Sequence, residues 1–323
     1  MENVGLLTSG GDAPGMNACL RAVVRAAYQY GIRIYGIKRG FAGLIDGEIG
    51  ELSPEKVSNI VHKGGTFLKS ARRDEFRTYE GMKKAYDQIQ SAGIEGMIVI
   101  GGDGTFAGAK DFQSYFDIPF VGIPGTIDND LYGTDFTIGY DTALNTVVEA
   151  IDKIRDTATS HDRLFFVEVM GRDAGLIALR SGLASGAEAI LIPESASDID
   201  KLHQQLKEGW GRTKQSHIVV VAEGDESGGA FQIADDVREN YPHLDTKVTV
   251  LGHVQRGGRP TAMDRVLASR LGVGAVNAIG EGQQGIMVGV QKREIVYSPF
   301  EKASKHHQTV EGNLMKLVDI LAQ

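Results

Sequence analysis

Cysteine, long apolar runs and an excess of positive charge are what this 323-residue sequence lacks. Its single cysteine, Cys19, excludes an internal disulfide and is typical of a reducing compartment. There is no signal peptide, and no apolar run comes near the roughly 18 residues of a membrane span, so we expect a soluble, cytoplasmic protein. A formal net charge of −8 argues against a nucleic acid or an acidic membrane as a general partner.

Internal repeats and low-complexity segments are also missing, although glycine is abundant at 42 residues. Because these glycines follow no period, they do not fit a fibrous protein, whereas an enzyme with many loops at strand ends would use them. The length is sufficient for two domains with large buried cores.

The stretch from Met97 to Asp130 organises the chain. Two apolar runs, Met97–Ile100 and Phe120–Ile123, are each followed by a loop of glycine and acidic residues. Short runs rich in Ile and Val predict strands buried on both faces, and Phe106–Tyr115 between them can form a helix. In such a parallel strand–helix–strand unit both loops emerge at the edge of the sheet where open α/β sheets bind ligands.

Three carboxylates, of Asp103, Asp128 and Asp130, are therefore expected in one crevice beside glycine amides. Hard oxygen ligands and backbone amides suit a magnesium-bound polyphosphate. The first loop, Gly101–Thr105, occurs in several families of nucleotide-using kinases and could also be a simple strand-end turn. The second, Pro124–Asp130, is far more specific, because no turn requires two Asp, an Asn and a Thr after Pro-Gly.

Further loops of the same kind follow other predicted strands. Ser9–Gly15 lies between the strand Val4–Thr8 and a helix that begins at about Met16. A helix N-terminus favours a phosphate, although the Gly-Lys-Ser/Thr element of a P-loop is missing. Met170–Gly175 and Gly252–Gly258 both combine glycine with arginine, which suits the binding of phosphate oxygens.

These motifs resemble those of the bacterial ATP-dependent 6-phosphofructokinases, the phosphofructokinase type A family, and the likeness runs from Val4 to about Val290. The resemblance implies an α/β protein of two domains, each a mostly parallel sheet flanked by helices. It also implies a homotetramer whose active and effector sites are shared between subunits. The implied domains are an ATP-binding domain, 1–139 plus 255–305, and a sugar-phosphate-binding domain, 140–254 plus 306–323.

The reaction that the resemblance implies is transfer of the γ-phosphoryl group of ATP to the 1-hydroxyl of fructose 6-phosphate, with Mg²⁺ as cofactor. The products are fructose 1,6-bisphosphate and ADP. Asp128 would take the hydroxyl proton, and Asp103 would hold Mg²⁺ with Asp130 as a helper. The charge on the moving phosphoryl group would be held by the Gly11 amide, Arg72, Thr126 and Arg172.

Two larger sets of binding residues carry over from the family position by position. The nucleotide set comprises Gly11, Arg72, Arg73, Arg77, Gly102, Asp103, Gly104 and Thr105. The sugar-phosphate set comprises Thr126, Asp128, Asp130, Arg163, Met170, Gly171, Arg172, Glu223, Lys247, His253 and Arg256. Two positions depart from the family pattern: relatives often have an aromatic or small residue at Arg73, and usually an arginine at Lys247.

An effector pocket between subunits, for ADP or phosphoenolpyruvate, is implied in the same way. Its cations and its acid are Arg21, Arg25, Arg155, Arg212, Lys214 and Glu188. Arg21 and Arg25 lie one turn apart on the polar stripe of the first helix, where a solvated face is the alternative. Gln215 stands where a further lysine is common, so we expect weaker inhibition by phosphoenolpyruvate.

Alternatives exist for the donor and for the class of protein. Pyrophosphate-using relatives carry Asp at Gly104 and Lys at Gly125, and glycine at both favours ATP because a carboxylate would repel the α-phosphate. An NAD or lipid kinase would share only the first loop. A dinucleotide-binding Rossmann fold would need an acid at the end of the next strand, which ends in Pro-Gly instead. A nucleotide-sensing regulator without catalysis would be expected to lack Asp128 or Arg172.

Overall fold

The computed structural model describes residues 1–158, 163–195, 198–207, 217–225, 228–303 and 312–321. The chain divides into two compact units, Met1–Thr142 with Arg256–His306 and Ala143–Gln255 with His307–Gln323. The chain therefore passes from one unit to the other more than once. The assignment of ATP to the first unit and of sugar phosphate to the second stays a prediction.

Strands and helices alternate along most of the described chain. The strands are β1 Asn3–Thr8, β2 Arg33–Ile37, β3 Ile49–Leu52, β4 Gly96–Gly101, β5 Phe120–Pro124, β6 Leu164–Val169, β7 Ala189–Leu191, β8 His217–Ala222, β9 Thr246–Val250, β10 Ile286–Gln291 and β11 Glu294–Pro299. The α-helices are α1 Met16–Gln29, α2 Gly40–Asp46, α3 Tyr79–Ser91, α4 Asp103–Tyr115, α5 Tyr140–Ala158, α6 Leu176–Ala184, α7 Asp198–Lys207, α8 Gly229–Asn240, α9 Ala262–Gly280 and α10 Gly312–Leu321. Short 3₁₀ turns are Asp74–Arg77 and Gly252–Arg256.

The sheet of the first unit has seven strands in the order β11-β10-β5-β4-β1-β2-β3. Its five central strands are parallel, and β11 and β3 add antiparallel edges. From β1 the chain adds β2 and β3 on one side, and then β4 and β5 on the other. This reversal makes a switch point between β1 and β4, where the carboxyl ends of the strands open a crevice suited to ligands.

Apolar side chains bury this sheet. Every residue of β4 and of β5 is buried, as their Ile- and Val-rich runs predict. One core cluster joins Leu7 and Val99 of the sheet to Phe106 and Phe112 of α4. The loops at the strand ends are therefore carried by a rigid, close-packed support.

The sheet of the second unit has four strands in the order β7-β8-β6-β9, and all its pairings are parallel. Its core joins Phe166 and Val219 of the strands to Leu202 of α7 and Val237 of α8. Both units are thus mostly parallel sheets flanked by helices, which confirms the fold class predicted from the sequence.

The two antiparallel edge strands, β3 and β11, were not predicted from the sequence, and one helix starts earlier than predicted. α4 begins at Asp103 rather than at Phe106, so the glycine loop after β4 is itself the first turn of the helix. After β10 the chain turns back into β11 through Lys292 and Arg293, which have positive φ values of 49° and 73°. Tight hairpin turns with positive φ usually contain Asn or Gly. The sequence Lys-Arg therefore did not predict a turn at this place.

The segment that follows β11 is described in part. The amphipathic stretch Leu314–Leu321 lies within α10. The paired histidines, His306 and His307, lie outside the described residues. No described helix is long and apolar enough to cross a lipid bilayer.

A glycine lets α9 approach α1 closely. A Cβ on Gly272 would lie 2.9 Å from Cβ of Ala22 and 3.0 Å from the carbonyl oxygen of Cys19. Further along the same helix, a Cβ on Gly280 would meet nothing within 4 Å. Cys19 is fully buried at this contact, and burial raises the pKa of its thiol.

Gly272→Ala should therefore destabilise the first unit by about 1–3 kcal/mol, because the added methyl group overpacks the contact between the helices. Gly280→Ala is the matched control and should be neutral or stabilise by up to about 1 kcal/mol. The measurement is the urea concentration at which Cys19, the single thiol, becomes open to alkylation. Equal midpoints for the two variants would contradict the close packing of α1 on α9.

Candidate active site

Loops that follow three neighbouring strands lie together at the switch point. The amide of Ser9 donates a hydrogen bond to the carbonyl oxygen of Ile100 (2.9 Å), and the amide of Gly125 donates to that of Gly101 (2.9 Å). These bonds continue the parallel pairing of β1, β4 and β5 to the last residues of the strands. The three loops therefore begin at one level of the sheet edge.

Two helices start at this edge. α1 begins at Met16 after Gly15, which has φ 107°, and α4 begins at Asp103 after Gly102. The first amides of a helix have no partner within the helix and attract anions. Gly104 is exposed in the first turn of α4, and apart from its chain neighbours and the backbone of its own helix, no atom lies within 4 Å of the place a Cβ would take. The surface beside this turn is therefore open.

The loop after β5 is closed by its own side chains. Asn129 has φ 54°, its Oδ1 accepts the amide hydrogen of Thr137 (2.7 Å), and its Nδ2 donates to the carbonyl oxygen of Asp135 (3.2 Å). The Thr126 hydroxyl donates to Oδ2 of Asp128 (3.2 Å) and accepts the amide hydrogen of the same residue (3.2 Å). Asn129 thus shapes the loop, and Thr126 orients the carboxylate.

The carboxylates differ in exposure. Asp128 is 3% exposed and Asp130 is 2% exposed, whereas Asp103 is half-buried. Among the described residues, no group of three or more His, Cys, Asp or Glu side chains could enclose a metal ion. Mg²⁺ is commonly held by one or two carboxylates together with substrate phosphates, so it needs no closed cage. Asp103 and Asp130 fit a magnesium ion that arrives with a polyphosphate.

The arginines of the loop around Arg72 have different surroundings. Nη2 of Arg73 lies 2.8 Å from Oε2 of Glu75 and 3.6 Å from Oδ1 of Asp46. The hydrogen bond to Glu75 raises the pKa of Arg73. Arg72 and Arg77 are exposed and have no ion-pair partner within the described part of the chain. Arg72 is thus available to a phosphate, whereas Arg73 is already held by two carboxylates.

Arg256 reaches the glycine turn after β1. A Cβ on Gly11 would lie 2.6 Å from Nη1 of Arg256, so the guanidinium rests directly against the glycine backbone. A residue predicted for the nucleotide and one predicted for the sugar phosphate are therefore neighbours. A cation beside glycine amides suits an anion.

The loop after β6, in the second unit, carries Met170, Gly171 and Arg172. Arg172 is exposed and has φ 55°. The amides of Gly171 and Arg172 both donate to Oε1 of Glu223 (3.2 and 2.8 Å), and the amide of Met170 donates to Oε1 of Gln255 (2.9 Å). The structure brings all four predicted residues together and adds Gln255.

Arg163 and Lys247 meet at one carboxylate in the same unit. Nε of Arg163 lies 2.9 Å from Oδ2 of Asp245, and Nζ of Lys247 lies 2.6 Å from Oδ1. Hydrogen bonds from Lys247 and from Arg163 hold the pKa of Asp245 below its usual value. His253 is exposed on the 3₁₀ turn that follows β9. Two cations predicted for the sugar phosphate are therefore close together.

Two predicted effector residues also lie together. Nη1 of Arg155 is 3.5 Å from Oε1 of Glu188, and Nη2 donates to the carbonyl oxygens of Ser185 and Gly186 (2.9 Å each). Glu188 is 2% exposed and accepts the amide hydrogen of Ile218 (2.8 Å). Arg155 therefore remains closer to solvent than the acid it contacts.

The other predicted effector residues are distributed differently. Arg21 is half-buried and Arg25 exposed on α1 of the first unit. Arg212 and Lys214, with Gln215, lie outside the described residues. The structure thus brings together one pair of the predicted six residues and leaves the effector pocket a prediction.

Three residues that structure these loops were not singled out from the sequence. Asn129 and Gln255 stand inside the motifs PGTIDND and GHVQRGG, so their place in a motif was the available signal. Asp245 precedes Lys247 by two positions. Residues two apart in an extended segment point to the same side, so this spacing was a weaker signal that the two side chains meet. All three residues bind other residues of the protein and were assigned no contact with a ligand, which is why the motifs alone did not single them out.

Helix N-termini, carboxylates and arginines beside the carboxyl ends of parallel strands are typical of nucleotide-dependent phosphotransferases. The sequence model for phosphofructokinase matches residues 3–279. Over 319 residues the chain is 56% identical to ATP-dependent 6-phosphofructokinase 2 of Bacteroides thetaiotaomicron, covering 99% of this chain and 98% of that protein. Over 322 residues it is 53% identical to ATP-dependent 6-phosphofructokinase 1 of Thermus thermophilus, covering 100% of both.

A solved structure gives the same result. The T-state crystal structure of Pichia pastoris phosphofructokinase matches with a TM-score of 0.88 and 36% identity, over 99% of this chain and 37% of that chain. The chain belongs to the phosphofructokinase family.

Proposed function

We propose that this chain is an ATP-dependent 6-phosphofructokinase, which transfers the γ-phosphoryl group of ATP to the 1-hydroxyl of fructose 6-phosphate. The proposal rests on the arrangement of loops at the switch point of the first sheet. There the buried Asp128 lies on a loop beside the glycine-containing starts of α1 and α4. Whole-length bacterial relatives of this name support the donor and the acceptor.

Such a transfer depends on positioning and on neutralising charge more than on covalent chemistry. Asp128 accepts the proton of the 1-hydroxyl. At the same time the hydroxyl oxygen bonds to the γ-phosphorus, and the bond from that phosphorus to the oxygen of the departing ADP breaks. Thr126, with its hydroxyl 3.2 Å from Oδ2 of Asp128, keeps the carboxylate in place. The Gly11 amide, Arg72 and Arg172 neutralise the charge on the moving group.

Magnesium fits the carboxylates of this proposal. When bound, Mg²⁺ supplies positive charge to the phosphate oxygens of the nucleotide. Asp103 and Asp130 are the residues that would hold it. Because they cannot enclose the ion alone, its affinity should depend on the presence of the nucleotide.

The remaining predicted residues divide between donor and acceptor. Further donor contacts are assigned to Arg77, Gly102, Gly104 and Thr105. Further acceptor contacts are assigned to Arg163, Met170, Gly171, Glu223, Lys247, His253 and Arg256. Arg73 is the weakest of the proposed nucleotide contacts, because binding would have to displace it from Glu75 and Asp46.

Asp128→Asn should lower kcat by about 10²–10⁴-fold, with little change in KM for either substrate. Asparagine keeps the size of the side chain and an oxygen for the Thr126 hydroxyl, so the loop should persist while the proton acceptor is lost. Asp111→Asn, on the exposed surface of α4, is the matched control. A variant at Asp128 that retains most of its turnover would remove this residue from the role of base.

ATP as the donor follows from the open surface at Gly104. No neighbouring atom lies within 4 Å of the place a Cβ would take, so there is room for a nucleotide and, equally, for an introduced side chain. A carboxylate placed there would repel an α-phosphate at close range and would leave pyrophosphate, which lacks that group, as the better donor.

Gly104→Asp should therefore raise KM for ATP by about tenfold or more, since a like charge near the phosphate costs more than the 1.4 kcal/mol of a tenfold change. Gly104→Asn is the control, because it has the same size without the charge. Steady-state kinetics at saturating fructose 6-phosphate and Mg²⁺ provide the measurement. Equal KM values for the two variants would show that the charge at this position does not select the donor.

Regulation and assembly complete the proposal. The cytoplasmic protein is a homotetramer that binds ADP or phosphoenolpyruvate in a basic pocket between subunits. Arg21, Arg25, Arg155, Arg212 and Lys214 are the proposed cations, and Glu188 is the proposed acid. The contact between Arg155 and Glu188 supports the assignment of both residues to one site. Because Glu188 is buried, it would have to become accessible before it could hold an effector-bound Mg²⁺.

Arg25→Ala should weaken inhibition by phosphoenolpyruvate about five- to tenfold, because one charge-assisted hydrogen bond to the effector is lost. The readout is the shift in the fructose 6-phosphate saturation curve on adding phosphoenolpyruvate. Arg33→Ala, an exposed arginine at the start of β2, is the matched control. If wild type and Arg25→Ala shift alike, Arg21 and Arg25 are only a solvated helix face.

A further inference from the structure

Gln255 is a fully buried polar residue on the 3₁₀ turn after β9. Its Oε1 accepts the amide hydrogen of Met170 at 2.9 Å. Because a backbone N–H can only donate, this bond fixes which end of the Gln255 amide is the oxygen. A buried side chain that binds the backbone of another loop acts on the shape of that loop.

The turn that carries Gln255 is fixed to the strand that carries Met170. β9 and β6 are neighbours in the second sheet, and their pairing continues until the amide of Leu251 donates to the carbonyl oxygen of Glu168 (3.0 Å). The loop after β6 and the turn after β9 therefore leave the same edge of the sheet side by side. Gln255 bridges them just beyond the last ladder bond.

The opposite side of the same loop is held from the other neighbouring strand. The amide of Glu223, after β8, donates to the carbonyl oxygen of Val169 (2.9 Å). Oε1 of Glu223 accepts the amide hydrogens of Gly171 and Arg172. Three consecutive amides at the start of this loop are thus bound from its two sides, one by Gln255 and two by Glu223.

Arg172 needs this support. Its φ of 55° lies in the left-handed region, which residues with a Cβ adopt rarely and hold only where their surroundings determine it. Loss of either support would let the backbone return to an ordinary conformation. The exposed guanidinium of Arg172 would then point elsewhere.

We propose that Gln255 is a positioning residue for Arg172. It holds the loop Met170–Arg172 in the strained conformation that presents the guanidinium to the phosphoryl group, and it does so without touching substrate. Its kinetic consequence rests on the proposed function, whereas its effect on the loop does not. Glu223 is exposed and is assigned to the sugar, so the buried Gln255 is the support that serves the loop alone.

The first test follows the loop itself and needs no substrate. Gln255→Met has a similar volume but offers the Met170 amide only the weak acceptor of a thioether sulfur in place of an amide oxygen. In the unliganded full chain, hydrogen exchange of the peptide containing Met170–Arg172 should be at least tenfold faster in Gln255→Met than in wild type. Unchanged exchange in that peptide would overturn the proposal.

The second test uses kinetics. Gln255→Met should lower kcat/KM for fructose 6-phosphate by about ten- to a hundredfold, the effect of leaving a buried donor unsatisfied, while KM for ATP stays the same. Gln113→Met is the matched control, because it removes a side-chain bond to the carbonyl oxygen of Ile118 in the first unit. Gln255→Glu keeps an oxygen for Met170 and should recover part of the loss.

A double-mutant cycle separates positioning from a general loss of stability. In an Arg172→Ala background, Gln255→Met should cost little further kcat, because the group it positions is gone. An equal cost in both backgrounds would overturn the proposal, as would wild-type kinetics in Gln255→Met. If Gln255→Met does not fold, the same exchange and kinetic measurements on Gln255→Leu and Gln255→Glu decide, the proposal requiring that only the glutamate keep the loop protected. A wild-type protein without turnover would count against the proposed function, while the exchange result would still decide the role of Gln255.

Discussion

Parallel pairing between neighbouring strands is the constraint on which the candidate site depends. In the first sheet it brings the ends of β1, β4 and β5 to one level, and bonds at Ser9 and Gly125 extend the ladder into the loops. In the second sheet it does the same for β8, β6 and β9. Each sheet therefore presents three loops that are adjacent in space, and neighbouring loops are joined by hydrogen bonds.

A second physical theme is that three of the predicted phosphate-binding cations already have carboxylate partners. Arg73 contacts Glu75 and Asp46, while Arg163 and Lys247 share Asp245. In a chain of net charge −8, such pairs keep local positive charge from accumulating before an anion arrives. Binding of a phosphate then exchanges one anionic partner for another, which favours selectivity over raw affinity. Arg72 and Arg77, exposed and without an ion-pair partner among the described residues, differ from these three.

Buried strands were predicted from the sequence more accurately than turns and long-range contacts. The runs Met97–Ile100 and Phe120–Ile123 predicted β4 and β5 to within one residue at each end, because an apolar run between polar turns limits where a strand can start and stop. The hairpin through Lys292 and Arg293 was missed, because its turn residues carry no turn signature. Pairings distant in sequence, such as Gln255 with Met170, depend on which strands become neighbours, and local residue patterns do not reveal the order of strands in a sheet.

Phosphoryl transfer from ATP to fructose 6-phosphate is the activity of this chain. A coupled assay of the purified full-length protein, with Mg²⁺ and with ATP or pyrophosphate as donor, tests it most directly. We expect formation of fructose 1,6-bisphosphate that saturates with fructose 6-phosphate, needs Mg²⁺, and proceeds with ATP but not with pyrophosphate. Binding of ATP without turnover, or turnover with pyrophosphate in its place, would contradict it.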